Sequence, residues 1–255
     1  MQPKTQKQEV LVKTIRHYIN SDEKLNLPYL GGKFEHHVYD IGLVVQTIYE
    51  EMDKATELLK QDIERQGRRI TCKKGCSYCC SQPIDADITE AILITQHLDQ
   101  NQEKKSEFIV KYPEWRKQVN PEAYTQRLNY VLQGKAISLQ EALQAYSQGK
   151  NALCPFLKNS ECVIYEVRPT VCRALISLDN PEICKEKDKT FVAAQGKTLQ
   201  KIMEEKAAAI QSALMDTLGI NAVIKTLMPM GVYEFNKRRK EYIESTGRIA
   251  KAKFE

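Results

Sequence analysis

All eight cysteines of this 255-residue chain fall in two short stretches. The first is "CKKGCSYCC", residues 72–80, with Cys72, Cys76, Cys79 and Cys80; the second holds Cys154, Cys162, Cys172 and Cys184. Structural cysteines scatter through a core as small hydrophobes, and these do not scatter. At this length and 42% hydrophobic content the chain encloses a core without disulfide staples. The start, "MQPKTQKQEV", lacks the apolar stretch of a secretory signal, and no apolar run approaches membrane-spanning length. The expectation is a cytoplasmic protein with no membrane partner. Thiols stay reduced in that compartment, so clustered cysteines point to metal or redox chemistry.

Outside the two stretches the pattern is helical. Val12, Ile15 and Ile19 recur at helical spacing, and Val38, Ile41, Val45, Ile48, Met52, Ala55, Leu59 and Ile63 mark one long buried stripe that Gly67 ends. Asp87 stands three residues before Glu90 and Ser138 three before Glu141, both capping-box spacings. Asn120-Pro121 puts proline at a first helical position. Leu199, Met203, Ile210, Leu214 and Leu218 share a later face. Strand-type alternation is almost absent, which predicts a mainly α fold. We expect a helical domain over 1–220 in which two irregular cysteine-rich loops, 72–84 and 151–184, converge on a metal site across a helical insert, 85–150. A basic helical tail follows over 221–255.

That tail carries +4 of the net charge of +5. The run "NKRRKEY" has the charge to touch phosphates or an acidic protein partner, although such runs are more often solvated faces; nucleic acid is not the expected ligand. No glycine-rich phosphate loop, H-E-x-x-H or G-x-S-x-G occurs.

Cys76-x2-Cys79 is the spacing with which a turn offers two thiolates to one tetrahedral ion. Thiolates suit zinc and iron–sulfur clusters rather than magnesium or calcium. The vicinal Cys79 and Cys80 complicate a single ion, since neighbouring side chains in extended backbone point to opposite sides. Two tetrathiolate sites, one cluster with a zinc, or one cluster with spare redox-active thiols all use eight cysteines. Cys72-x3-Cys76-x2-Cys79 also has the spacing of the radical S-adenosylmethionine signature, but without the repeated strand–helix units in which that chemistry usually sits. His36, His37 and His97 have the chemistry of ligands, with a surface or capping role favoured for each.

The second stretch reads "CPFLKNSECVIYEVRPTVCR". Together the blocks Cys-x3-Cys-x2-Cys-Cys and Cys-Pro-Phe-Leu followed by Cys-x-Ile-Tyr-Glu-x-Arg-Pro-x-x-Cys-Arg resemble the YkgJ-type cysteine-cluster family, a zinc- or iron-chelating domain related in motif to flagellin lysine N-methylases. The resemblance implies metal ligation by Cys72, Cys76, Cys79, Cys80, Cys154, Cys162 and Cys172, with Cys184 as the eighth. Arg168 and Arg173 stand next to these thiols in sequence. They either supply positive charge around the cofactor or anchor the loop on acids such as Glu166 or Asp179. Tyr165 and Phe156 are read as packing over the site, and Pro155 and Pro169 as fixing the loop. The expected function is metal binding at a thiolate-ligated centre, an iron–sulfur cluster in preference to zinc, serving redox, metal-handling or structural ends. The alternatives are an S-adenosylmethionine-dependent protein-lysine N-methylase and a zinc-stabilised interaction module.

Overall fold

The computed structural model describes residues 5–21, 23–25, 34–133, 139–147, 152–177, 205–210, 212–213 and 226–238. Helices dominate, as the periodicity predicts. Helix α1, Gln6–Ile19, opens with a reciprocal capping box between Thr5 and Gln8 and buries Leu11, Val12, Ile15 and Ile19. Helix α2, Phe34–Arg65, is 32 residues long. Ile41, Val45, Ile48, Met52 and Ile63 of its stripe are buried. It stops in a Schellman motif: Gly67 has φ +75°, its N–H donates to Glu64 O (3.0 Å), and Arg68 N–H donates to Ile63 O (3.1 Å). Gln8 binds Asp40 at 3.0 Å and Arg16 binds Glu50 at 2.8 Å, so α1 and α2 run in the same direction.

Four helices form the segment between the cysteine loops: α3, Ile88–Asp99; α4, Gln102–Gln118; α5, Pro121–Leu132; and α6, Leu139–Ser147. The Asp87 side chain accepts from the N–H groups of Thr89 (2.8 Å) and Glu90 (3.0 Å), while Glu90 reaches back to the Asp87 N–H (3.3 Å). Asn120 caps α5 through the N–H of Ala123 at 3.0 Å. Helix α4 buries Phe108, Tyr112 and Trp115 on one face.

Among the described residues, strand structure is confined to two short pairs. Strand β1, Asp85–Ala86, runs antiparallel to β4, Thr226–Leu227, with Asp85 opposite Leu227. Strands β2, Leu157–Lys158, and β3, Glu161–Cys162, form a hairpin closed by Asn159 (φ 50°) and Ser160 (φ 65°). Two positive φ values in a two-residue loop are the type I′ geometry that matches strand twist. This hairpin lies within a stretch expected to be irregular. It rests on α4: Lys158 pairs with Glu103 (3.0 Å) and Glu107 (2.5 Å), and Lys111 donates to Leu157 O (2.8 Å). A single short helix, α7, Thr170–Ala174, follows.

A helical segment at 205–210, here α8, adds Ala207 and Ile210 to the core, and another at 228–238, here α9, adds Met228, Val232 and Phe235. The first part of the basic stretch therefore packs against the rest of the protein. Of its basic residues Lys237 and Arg238 are described and exposed, and Arg238 pairs with Glu234 at 3.2 Å. Leu199, Met203, Leu214, Leu218, Ser138 and the other basic residues of the stretch lie outside the described residues. No described helix is long and apolar enough to cross a membrane.

Candidate metal centre

The two cysteine loops meet through their backbones. Cys154 N–H donates to Cys80 O at 2.8 Å, and Thr71 N–H donates to Ser177 O at 2.9 Å. The Ser177 N–H in turn donates to the sulfur of Cys72 at 3.0 Å. Local geometry sets the rest. Gly75 has φ +90°, a conformation that glycine adopts without penalty, and the adjacent turn closes with Cys76 N–H on Lys73 O at 3.0 Å. A 3-10 turn, Tyr78–Ser81, carries the vicinal pair. Cys162 ends β3 and Cys172 sits in α7, so the hairpin and the short helix bring the second loop's thiols to the first.

Seven cysteines are described, all half-buried and none of them in a disulfide. Cys72, Cys76, Cys79 and Cys172 line a cleft of about 250 Å³, together with Thr56, Glu57 and Lys60 of α2 and the apolar Ile70, Leu175 and Ile176. Cys79, Cys80, Cys154, Cys162 and Cys172 lie close enough to perturb one another electrostatically. A hydrogen bond from Cys80 brings the Cys79 thiol down to about 7, against the opposing effect of burial, and pushes Cys80 strongly up. Burial raises Cys154 to about 12 and also raises Cys162 and Cys172. Among the described residues, no three His, Cys, Asp or Glu side chains are gathered tightly enough to hold one ion. The thiols line a space rather than meet at a point.

The two arginines have different surroundings. Arg173, with its side chain only 4% exposed, is an anchor. Its Nη1 grips both carboxylate oxygens of Asp53 on α2 (2.6 and 2.5 Å), its Nε donates to Arg168 O (3.0 Å), its Nη2 donates to Glu166 O, and its guanidinium lies over the Tyr49 ring at 4.3 Å. Glu166 thus contributes its backbone carbonyl, while its carboxylate pairs with Lys74 at 3.3 Å. Asp179 lies outside the described residues. Arg168 stacks on Tyr165 at 4.1 Å, and its charge favours the thiolate forms of Cys79, Cys162 and Cys172. Its buried Nε has no hydrogen-bond partner among the described residues.

The remaining candidates are His97 and Phe156, which are described, and others that lie outside the described residues. His97 bonds the backbone of Val163 and is held below the ordinary imidazole value by burial; its Nε2 is buried without a partner. The side chains of His36 and His37, and the whole of Cys184, lie outside the described residues. Phe156 is fully buried and stacks on Phe108 at 4.2 Å. Two acids that matter to the site escaped the sequence reading. Asp53 carries no local signal. Glu90 is visible only as a capping residue, yet its Oε1 accepts from Thr170 N–H (2.8 Å), Thr170 Oγ1 (2.7 Å) and Tyr49 Oη (3.0 Å), tying α7 to α2 and α3.

Residues 71–195 match the CxxCxxCC family model, described as "Putative zinc- or iron-chelating domain". That segment, just under half of the chain, contains every cysteine and is similar to this family. The match supports metal binding in general. No curated protein and no solved structure gives a significant match.

Proposed function

We propose that the two cysteine loops hold a polynuclear thiolate centre, an iron–sulfur cluster in preference to a single zinc ion. Cys72, Cys76, Cys79, Cys80, Cys154, Cys162, Cys172 and Cys184 form the ligand pool. What supports this is one observation: thiols from both loops line the same cleft of about 250 Å³ instead of closing on one point. A water occupies roughly 30 Å³ of liquid, so the cleft has room for a group of several atoms. A tetrahedral zinc site needs four ligands at about 2.3 Å from one centre. The donor set fits a cluster, since thiolates are its usual protein ligands.

When bound, such a cluster supplies one-electron redox chemistry. The chain's own residues prepare the thiols for it. Arg173 fixes the backbone at Glu166 and Arg168, and Arg168 brings a fixed cation and an unpartnered N–H to the same thiols. Positive charge stabilises thiolate over thiol. Ile70, Leu175 and Ile176 limit water on one wall of the cleft, and Tyr165 holds Arg168 in place by stacking.

Protein purified without oxygen should contain iron and acid-labile sulfide and absorb broadly in the visible. Colourless protein carrying zinc alone contradicts the cluster and leaves a zinc-clamped module in its place.

A further inference from the structure

Aromatic rings run in unbroken contact from the second cysteine loop to the last described helix. Phe156, two residues beyond Cys154, stacks on Phe108 of α4 with centroids 4.2 Å apart and planes 13° apart. Phe108 meets Tyr112 edge-on at 5.9 Å, and Tyr112 stacks on Tyr233 of α9 at 3.9 Å and 8°. Trp115, the chain's single tryptophan, leans on Tyr112 at 5.7 Å. Tyr112 and Trp115 are buried and Tyr233 is half-buried. The series begins beside a core thiol and ends on a phenol nearer the surface.

Apolar packing explains aromatic rings in a core, but not the order of these. Tyrosine and tryptophan are, with cysteine, the side chains that give up a single electron most readily, and electron exchange weakens steeply with distance. Here two tyrosines in face-to-face contact adjoin an indole. The indole N–H lies by the hydroxyl of the buried Tyr146, so Tyr146 is a second phenol within reach of an oxidised Trp115. The charge of Glu234, which pairs with Arg238, is also felt at the Tyr112 phenol.

We propose that this series is an electron path that rescues the cysteine cluster from one-electron oxidation, with the oxidising equivalent leaving the thiols and coming to rest on Tyr233. Hydroxyl radical oxidises the thiol: Cys154–SH + •OH → Cys154–S• + H2O. The path then reduces the thiyl: Cys154–S• + Tyr233–OH → Cys154–SH + Tyr233–O•. The electron travels from Tyr233 through the rings to sulfur; the phenol proton leaves to solvent, and the sulfur takes a proton from solvent. A small-molecule reductant such as ascorbate returns the tyrosyl radical to phenol. Left unrepaired, the thiol climbs toward sulfinic acid, which is irreversible for most cysteines. The step belongs to the metal-free protein, in which the Cys154 thiol keeps its proton.

A single tryptophan lets the test begin at one known site. Light at the red edge of protein absorption photoionises Trp115 in the full chain, and transient absorption follows the indolyl radical. In the wild type it should decay as a tyrosyl radical rises, and spin trapping with peptide mapping should find the adduct on Tyr233. Tyr112→Phe keeps the ring and should lengthen the indolyl lifetime several-fold. In parallel, radiolytic hydroxyl radical should convert more Cys154 to sulfinate in Tyr112→Phe than in the wild type. Tyr233→Phe repeats both measurements if Tyr112→Phe fails to fold. Equal indolyl lifetimes, or equal Cys154 sulfinate, in wild type and a folded variant overturn the proposal.

Discussion

Two groups of buried polar side chains lie side by side in this protein, and they are finished to different degrees. Around Glu90, each carboxylate oxygen meets donors: Thr170 and Tyr49 on one, the Asp87 N–H on the other. Around the thiols, the Arg168 Nε–H has no acceptor, and Cys79 and Cys80 bond each other. Buried polar groups are almost always paired. A closed network like that of Glu90 holds elements together and needs nothing further. Incomplete pairing next to a cleft lined by four of the thiols marks the place where chemistry from outside the chain enters. The closed network is also what makes the open one possible, because Glu90 and Arg173 fix α7 and therefore Cys172.

The largest effect should come from opening the closed network. Glu90→Ala leaves the Thr170 N–H and hydroxyl and the Tyr49 hydroxyl without their acceptor, and should lower the unfolding free energy of metal-free protein by about 3 kcal/mol. Urea denaturation measures it; a loss within error of zero would mean that α7 is held otherwise.

The same residue gives a pH signature. Burial first, and then the charge of Asp87, raise the Glu90 carboxyl against the lowering effect of its hydrogen bonds. The folded state therefore keeps this proton to a higher pH than the unfolded chain. Its contribution is full below the ordinary glutamate value of about 4.3 and is lost as pH rises through the folded value. The stability of the wild type relative to Glu90→Gln should accordingly fall as pH rises across that window. A difference that stays flat or rises contradicts a protonated Glu90.

A smaller change should separate the two groups. Gly75→Ala forces a side chain onto φ +90°, costing about 1 kcal/mol. The damage should fall on metal loading more than on unfolding, because the strained turn places Cys76 while the Glu90 network is untouched. Smallest of all, Ser160→Gly relaxes a φ of 65° in the hairpin turn and should stabilise the protein by about 0.5 kcal/mol with no change in metal content.

Much of the frame was legible because it is written locally. The α2 stripe and its glycine stop, the Asp87 capping box and the proline start of α5 each depend on residues within a turn or two of one another. The cysteine blocks were legible for the same reason, since their spacing is a property of the sequence. The β2–β3 hairpin was not, because its strands are two residues long and its turn is Asn-Ser rather than the usual Asn-Gly. Nor were the contacts that assemble the site. Arg173 reaches an acid 120 residues away on α2, and Thr71 meets Ser177. Such pairings depend on how helices pack, which no short window of sequence contains.

The central claim is that both loops serve one centre. It is tested most directly by metal content in Cys76→Ala and Cys154→Ala, one thiol from each loop, beside the wild type. If the loops share a centre, both variants should fold and lose most of their metal. Full metal in either folded variant would show that its loop stands apart, and the shared centre would fall.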